Sequence, residues 1–160
     1  MKLITLPTHL GAPFTHKFKF DFTDVDDGAG ATTLTKQVFP DAAIAVTGFD
    51  AGLTVLDTAL NLTTAFDATD AAINSLLAEV GDGGDTDRLL TQTELALDGT
   101  EVLFKIMGAV TAPYAYPIAD TIDVLFTVAG GASPTLGEIN AGAAEIYLAL
   151  FDLNLLELVS

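Results

Sequence analysis

The run His16-Lys17-Phe18-Lys19-Phe20-Asp21-Phe22-Thr23 alternates apolar and polar residues without a break. Successive side chains of an extended strand point to opposite faces, so a period of two places three phenylalanines on one side and the charges on the other. A helix would scatter the same residues around its circumference. This segment therefore predicts a half-buried β-strand and requires a second layer to cover its phenylalanines.

The rest of the chain repeats the theme in short pieces. Thr32 to Phe39 is rich in β-branched residues and stops at Pro40, which has no N–H for a central ladder. Ala42 to Thr47, Leu53 to Phe66 (one long strand or two short ones) and Thr121 to Val128 read as further strands. Ala71 to Val80 has helix-favouring Ala, Leu and Glu, but its flanking turns are only a strand length apart, and strand is the expectation. Asp24 to Gly30 reads as a turn, and Gly81 to Arg88 as a surface loop. Leu89 to Leu97 and Glu101 to Ile106 flank Asp98-Gly99, a hairpin signal. Tyr114 and Tyr116 between prolines predict an extended segment. Leu153 to Val159 fits strand or short helix equally. Such spacing predicts an all-β fold: a two-sheet antiparallel β-sandwich, jelly-roll-like, occupying residues 16–160 as one domain. Residues 1–15, with Pro7, Gly11 and Pro13 and no clear period, read as an extended N-terminal arm that a partner would order.

Charge excludes one large class of partner. With 22 acids against six Lys and Arg the net charge is −16, whereas binding phosphates needs clustered cations, so no nucleic-acid contact is expected. The charge is uneven. Lys2, Lys17, Lys19 and Lys36 balance Asp21, Asp24, Asp26 and Asp27, so residues 1–36 are neutral and the remainder carries the whole −16. That fits a leading segment lying against a partner, and chance fluctuation over a short window fits equally. The excess of Asp with little Lys suits a protein working in high salt, where repulsion is screened over a few ångströms. No stretch reaches the ~18 apolar residues of a spanning helix, and Pro7 and Gly11 interrupt any signal-peptide core, so neither membrane nor export is expected. Cysteine is absent, which removes disulfides and thiolate metal sites.

The chemistry of catalysis is thinly represented. His9 and His16 lie in or beside the arm, and Ser75, Ser133 and Ser160 stand in no Gly-x-Ser-x-Gly frame, so a serine triad lacks a base on a rigid element. Neither a His-Glu-x-x-His motif, a P-loop nor a dinucleotide glycine pattern occurs. The expectation is a protein that is not an enzyme and uses no cofactor. Calcium could be held by acidic turns, but the series from Asp24 has Gly28 and Ala29 at its fifth and sixth positions, and the series from Asp82 has Gly84 at its third. Asp82, Asp85 and Asp87 remain metal candidates, against a solvated turn paired with Arg88 as the plainer reading. Asn61-Leu62-Thr63 matches a glycosylation acceptor inside a strand-like run, where chance is the better explanation.

Four pieces between Asn61 and Phe151 carry a resemblance: Thr63-Thr64-Ala65-Phe66-Asp67, Val80-Gly81-Asp82-Gly83-Gly84-Asp85-Thr86-Asp87-Arg88, Ala119-Asp120-Thr121-Ile122-Asp123-Val124 and Pro134-Thr135-Leu136-Gly137-Glu138-Ile139. In order and type they resemble small structural proteins of tailed phages, the head decoration, cement or head-fibre proteins. Ala68 to Asn74 is longer than usual for that group. The resemblance implies a jelly roll, homotrimers on the head lattice, binding to the major capsid protein, and a location on the outer capsid surface of the virion. On that reading Leu3, Ile4, Leu6, Leu10 and Phe14 of the arm are the candidate capsid contacts. Tyr147, Ala149 and Phe151 are the candidate trimer interface, because Glu145 to Phe151 is apolar on both faces, as either a central or an interface strand would be. The competing expectation is a β-sandwich module of a fibre or tail that recognises a host-surface glycan or protein through its acidic loops.

Overall fold

In the computed structural model, residues 2–5, 14–26, 28, 30–38, 51–95, 105–107 and 113–152 are described, residues 2–5, 105–107 and 152 through their backbone. The strands are β1 (Lys2–Thr5), β2 (His16–Asp21), β3 (Thr33–Gln37), β4 (Leu53–Ala68), β5 (Ile73–Asp82), β6 (Asp85–Glu94), β7 (Lys105–Met107), β8 (Tyr114–Ala115), β9 (Asp123–Gly130) and β10 (Ile139–Asp152), with one helical turn, α1 (Phe22–Val25). They form two sheets. The larger runs β1-β2-β10-β4-β7 with β8 also on β4, and the smaller runs β3-β9-β5-β6.

The chain is an antiparallel two-sheet β-sandwich, and its pairings define the winding. β2 pairs with β10, β3 with β9, β4 with β7 and β5 with β6, so the chain is one long hairpin doubled back on itself. Rolling that hairpin sets β10 beside β4 and β9 beside β5. This is the jelly-roll order, which local sequence signals could not supply.

The core fills the space between the sheets. Phe18 and Phe20 of β2 and Leu60, Leu62 and Phe66 of β4 face Leu76, Val80, Val124, Phe126 and Val128, all buried. The Phe20 ring lies 5.0 Å from Phe126, edge to face, and 6.0 Å from Phe66. Each such side chain contributes about 1.5–3 kcal/mol on burial. Gly142 is the fixed point of one crossing: its φ is +121°, and an added Cβ would come within 2.3 Å of the Phe66 ring.

Several expectations change. The alternation from His16 ends at Asp21, because the Asp21 carboxylate accepts from Thr23 N–H at 2.9 Å and Asp24 returns a bond to the Asp21 N–H at 3.2 Å. This capping box starts α1 inside the expected strand and turn, and leaves Phe22 at the surface. Gly81 to Arg88 is the tight β5–β6 hairpin instead of a surface loop. Gly81 and Asp82 are buried, and a Cβ at Gly81 would stand 2.1 Å from the Asp85 carbonyl oxygen. The Asp98-Gly99 hairpin signal lies outside the described residues, and of the strands on either side β6 belongs to the smaller sheet and β7 to the larger. Ala71 to Val80 is strand, and Leu53 to Phe66 is one long strand. The expected strand at Ala42 to Thr47 and the tail from Leu153 lie outside the described residues.

Of the expected N-terminal arm, Lys2–Thr5 is extended and belongs to the chain's own sheet, while residues 6–13 lie outside the described residues. β1 pairs with β2 through Lys2↔Lys19, Leu3↔Phe18, Ile4↔Lys17 and Thr5↔His16, so no second chain is required to order it.

Candidate functional site

The outward face of the larger sheet brings together residues that are far apart in sequence. On β10 the residues Ala144, Ile146 and Leu148 are buried, and the period of two turns Glu145 and Tyr147 away from the core. By register Glu145 stands between Lys19 of β2 and Asn61 of β4, and Tyr147 between Lys17 and Ala59. Glu145 is the centre of a polar cluster. Its Oε1 lies 3.3 Å from Lys17 Nζ and 3.2 Å from Lys19 Nζ, and its Oε2 accepts from the Tyr147 hydroxyl at 2.5 Å and from Asn61 Nδ2 at 3.4 Å. Burial alone would raise the Glu145 pKa, but the hydrogen bonds from Tyr147, Lys19 and Lys17 outweigh it and hold the carboxyl at about 2. The Tyr147 hydroxyl is pushed up to about 12, by burial first and then by its bond to this carboxylate.

Beside the cluster an open cleft of about 390 Å³ is lined by Lys19, Asp21, Asp24, Thr63, Ala143 and Glu145 among others. Asp21 and Asp24 are engaged in the helix cap, and Thr63 donates to the Ala143 carbonyl at 2.9 Å. At the other end the face becomes apolar. The Phe14 ring packs 5.8 Å from Tyr147, so a candidate capsid contact and a candidate interface residue touch. Phe151 is 40% exposed, and Leu56 is 48% exposed. Leu56 is the extra residue of a bulge, since Ala149 pairs with Asp57 and Leu150 with Val55. Ala149 is fully buried, so of the three interface candidates Tyr147 is half-buried and only Phe151 is open to a partner. Leu3 and Ile4 hold register positions opposite Phe18 and Lys17. Leu6 and Leu10 lie outside the described residues.

The acidic hairpin is organised around a cation. Asp82, 2% exposed, accepts from the N–H groups of Gly84 and Asp85, each at 2.9 Å, and from Arg88 Nε at 2.5 Å. Arg88 also stands 3.7 Å from Asp85 and stacks 4.4 Å over the Tyr114 ring, which meets Tyr116 edge-on at 4.7 Å. Burial, followed by the charge of Asp82 and a hydrogen bond with it, raises the Tyr116 hydroxyl pKa well above its usual range. A hydrogen bond with Asp85 raises that of Asp87. Asp82 is thus spent on the fold, and no group of three or more His, Asp or Glu among the described residues is arranged to hold a metal ion.

Sequence reading missed Glu145 as a hub, although it is the one acid in the apolar run Ala143 to Phe151 and two lysines alternate outward on β2. No local signal revealed that Arg88 meets Tyr114, because β6 and β8 belong to different sheets. Comparison of the chain with known protein families, with curated proteins and with solved structures finds no match in any of the three.

Proposed function

We propose that this chain is a structural protein of a tailed-virus particle, a non-enzymatic decoration or cement protein that binds the outer surface of the head through the major capsid protein and associates as a homotrimer. The observation that carries the reading is the outward face of the larger sheet, where exposed Phe151 and Leu56 continue from the Phe14–Tyr147 contact on a rigid sandwich. A Leu or Phe already about half covered gains about 1 kcal/mol when a partner covers the rest, so several such contacts hold a shell protein once a trimer multiplies them. The sequence resemblance and the acidic, solvent-compatible remainder of the chain support the same reading. Recognition of host glycans through the acidic turns has less support, since Asp82 and Arg88 are engaged with each other and with Tyr114.

The test uses heads from the same particle stripped of this protein. A Leu56→Asp/Phe151→Asp variant, its β-sheet circular dichroism unchanged, should lose at least tenfold in head occupancy at fixed concentration. Occupancy equal to that of the unaltered chain would remove the proposal.

A further inference from the structure

We infer that β1 is an exchangeable strand: in assemblies of this protein the Lys2–Thr5 segment of one copy pairs with β2 of a second copy, in the register it holds within its own chain. The inference deepens the self-association in the proposed function and does not depend on any capsid.

Four features carry it. β1 is four residues long, occupies a sheet edge, and pairs with β2 alone among the described strands. Its place is therefore set by one short ladder that a second copy reproduces bond for bond, so exchange leaves the count of hydrogen bonds unchanged. The connection is far longer than a hairpin requires. Antiparallel neighbours are joined by about two to five residues, whereas residues 6 to 15 separate β1 from β2. Of that link, the far end is fixed on the chain's own β10: Thr15 N–H donates to the Leu148 carbonyl at 2.9 Å, its hydroxyl accepts from Leu150 N–H at 3.0 Å, and Phe14 packs on Tyr147. The eight residues 6–13 that remain are enough chain to reach across roughly 26 Å at most.

The last feature concerns what holds β1 at home. The ladder runs for four pairs only, from Lys2↔Lys19 to Thr5↔His16, so few backbone hydrogen bonds are given up when it opens. The occupant of β2 is a second copy because only the same strand repeats this register, with Leu3 opposite Phe18 and Ile4 opposite Lys17.

The chain has no cysteine, so disulfide trapping reads the pairing directly. Paired positions of adjacent strands lie about 4.5–5.5 Å apart between Cα atoms, within disulfide range. Lys2→Cys and Lys19→Cys are made as separate single variants, mixed at high concentration and oxidised, with Ile4→Cys and Lys17→Cys as a second pair. Exchange predicts a covalent product of twice the monomer mass that forms in the mixture several-fold more than in either variant alone. The double variant Lys2→Cys/Lys19→Cys then gives interchain as well as intrachain bonds. If it closes only within one chain, and mixtures of both pairs yield no excess dimer, the exchange is overturned. Head occupancy measured on the oxidised Lys2→Cys/Lys19→Cys chain, which changes none of the candidate capsid contacts, separates the two proposals, because cementing without exchange leaves occupancy intact.

Discussion

Two carboxylate clusters on this one sandwich reach opposite states. On the outer face of the larger sheet, one acid, Glu145, is surrounded by Lys17, Lys19, Tyr147 and Asn61, and its carboxyl is held at about 2. At the β5–β6 end the proportions are inverted. Asp82, Asp85, Asp87, Asp120 and Asp123 gather near a single Arg88, and the pKa values of Asp87 and Asp123 are raised. In a chain of net charge −16 the few cations decide where an acid stabilises and where it costs. Four lysines lie on β1, β2 and β3, while among the described side chains Arg88 is the cation paired with the acidic hairpin.

The largest expected effect is at Arg88. Replacing it with Ala leaves the Asp82 carboxylate buried without its cation, beside the Gly84 and Asp85 N–H groups, and strips the Tyr114 ring of its stacked cation. Removing one partner of a buried pair costs about 3–5 kcal/mol, and the lower end applies because the Arg88 side chain is partly open to water. Urea unfolding should show a lower midpoint for Arg88→Ala. Arg88→Met/Asp82→Asn should recover much of the loss, since no unpaired charge then remains. If the double variant is as unstable as the two single losses added together, the pair is not what locks this end.

The contrast between the clusters also marks how far the sequence could be read. Alternation at His16 to Asp21 fixed which face of β2 is covered, because a half-buried strand has only one way to hide Phe18 and Phe20. The sandwich class followed from many short strands between turn residues. The winding did not, because turn residues do not say which sheet receives the next strand, and β6 and β7 lie in different sheets. Phe22 followed the apolar alternation but was diverted by Asp21 and Asp24, whose short side chains bond the backbone and turn strand into helix. The site divided in the same way. Tyr147 and Phe151 were singled out from an apolar strand and Phe14 from the arm, but the Phe14–Tyr147 contact and the bulge that exposes Leu56 are displayed only by the folded chain. For Asp82 the plainer reading, a turn paired with Arg88, gave the partner, whereas its burial and the Tyr114 ring beyond Arg88 depend on strands of both sheets.

The Glu145 cluster should respond to acid. Its folded pKa of about 2 is below the ordinary 4.5, so the unfolded chain binds the proton more readily. Its stabilisation is therefore complete above about pH 4.5 and is lost as pH falls towards 2. Allowing for solvent at the sheet surface, Glu145→Gln should cost about 2 kcal/mol at pH 7. The variant should also flatten the acid limb of the stability curve between those pH values. Denaturant midpoints collected every half pH unit provide the check, and an unchanged acid limb would mean the two lysines are held by solvent and not by Glu145.

The smallest effect sharpens the comparison most, because its sign is reversed. Asp123 has its pKa raised by burial first, with the charges of Asp120 and Asp82 adding to the rise and the Thr121 hydroxyl bond opposing it. Its Oδ1 is buried without a hydrogen-bond partner among the described residues. An acid whose folded pKa exceeds its unfolded value of 3.8 destabilises the fold while ionised, and that penalty is relieved as pH falls through the folded pKa. Asp123→Asn keeps an acceptor for Thr121 and removes the charge, so at pH 7 it should raise stability by about 0.5 kcal/mol. The gain should shrink as pH falls through the folded pKa, where the native carboxyl becomes neutral. A loss of stability at pH 7 would show that the Asp123 charge is compensated, and the asymmetry between the two clusters would then rest on Asp82 and Arg88 alone.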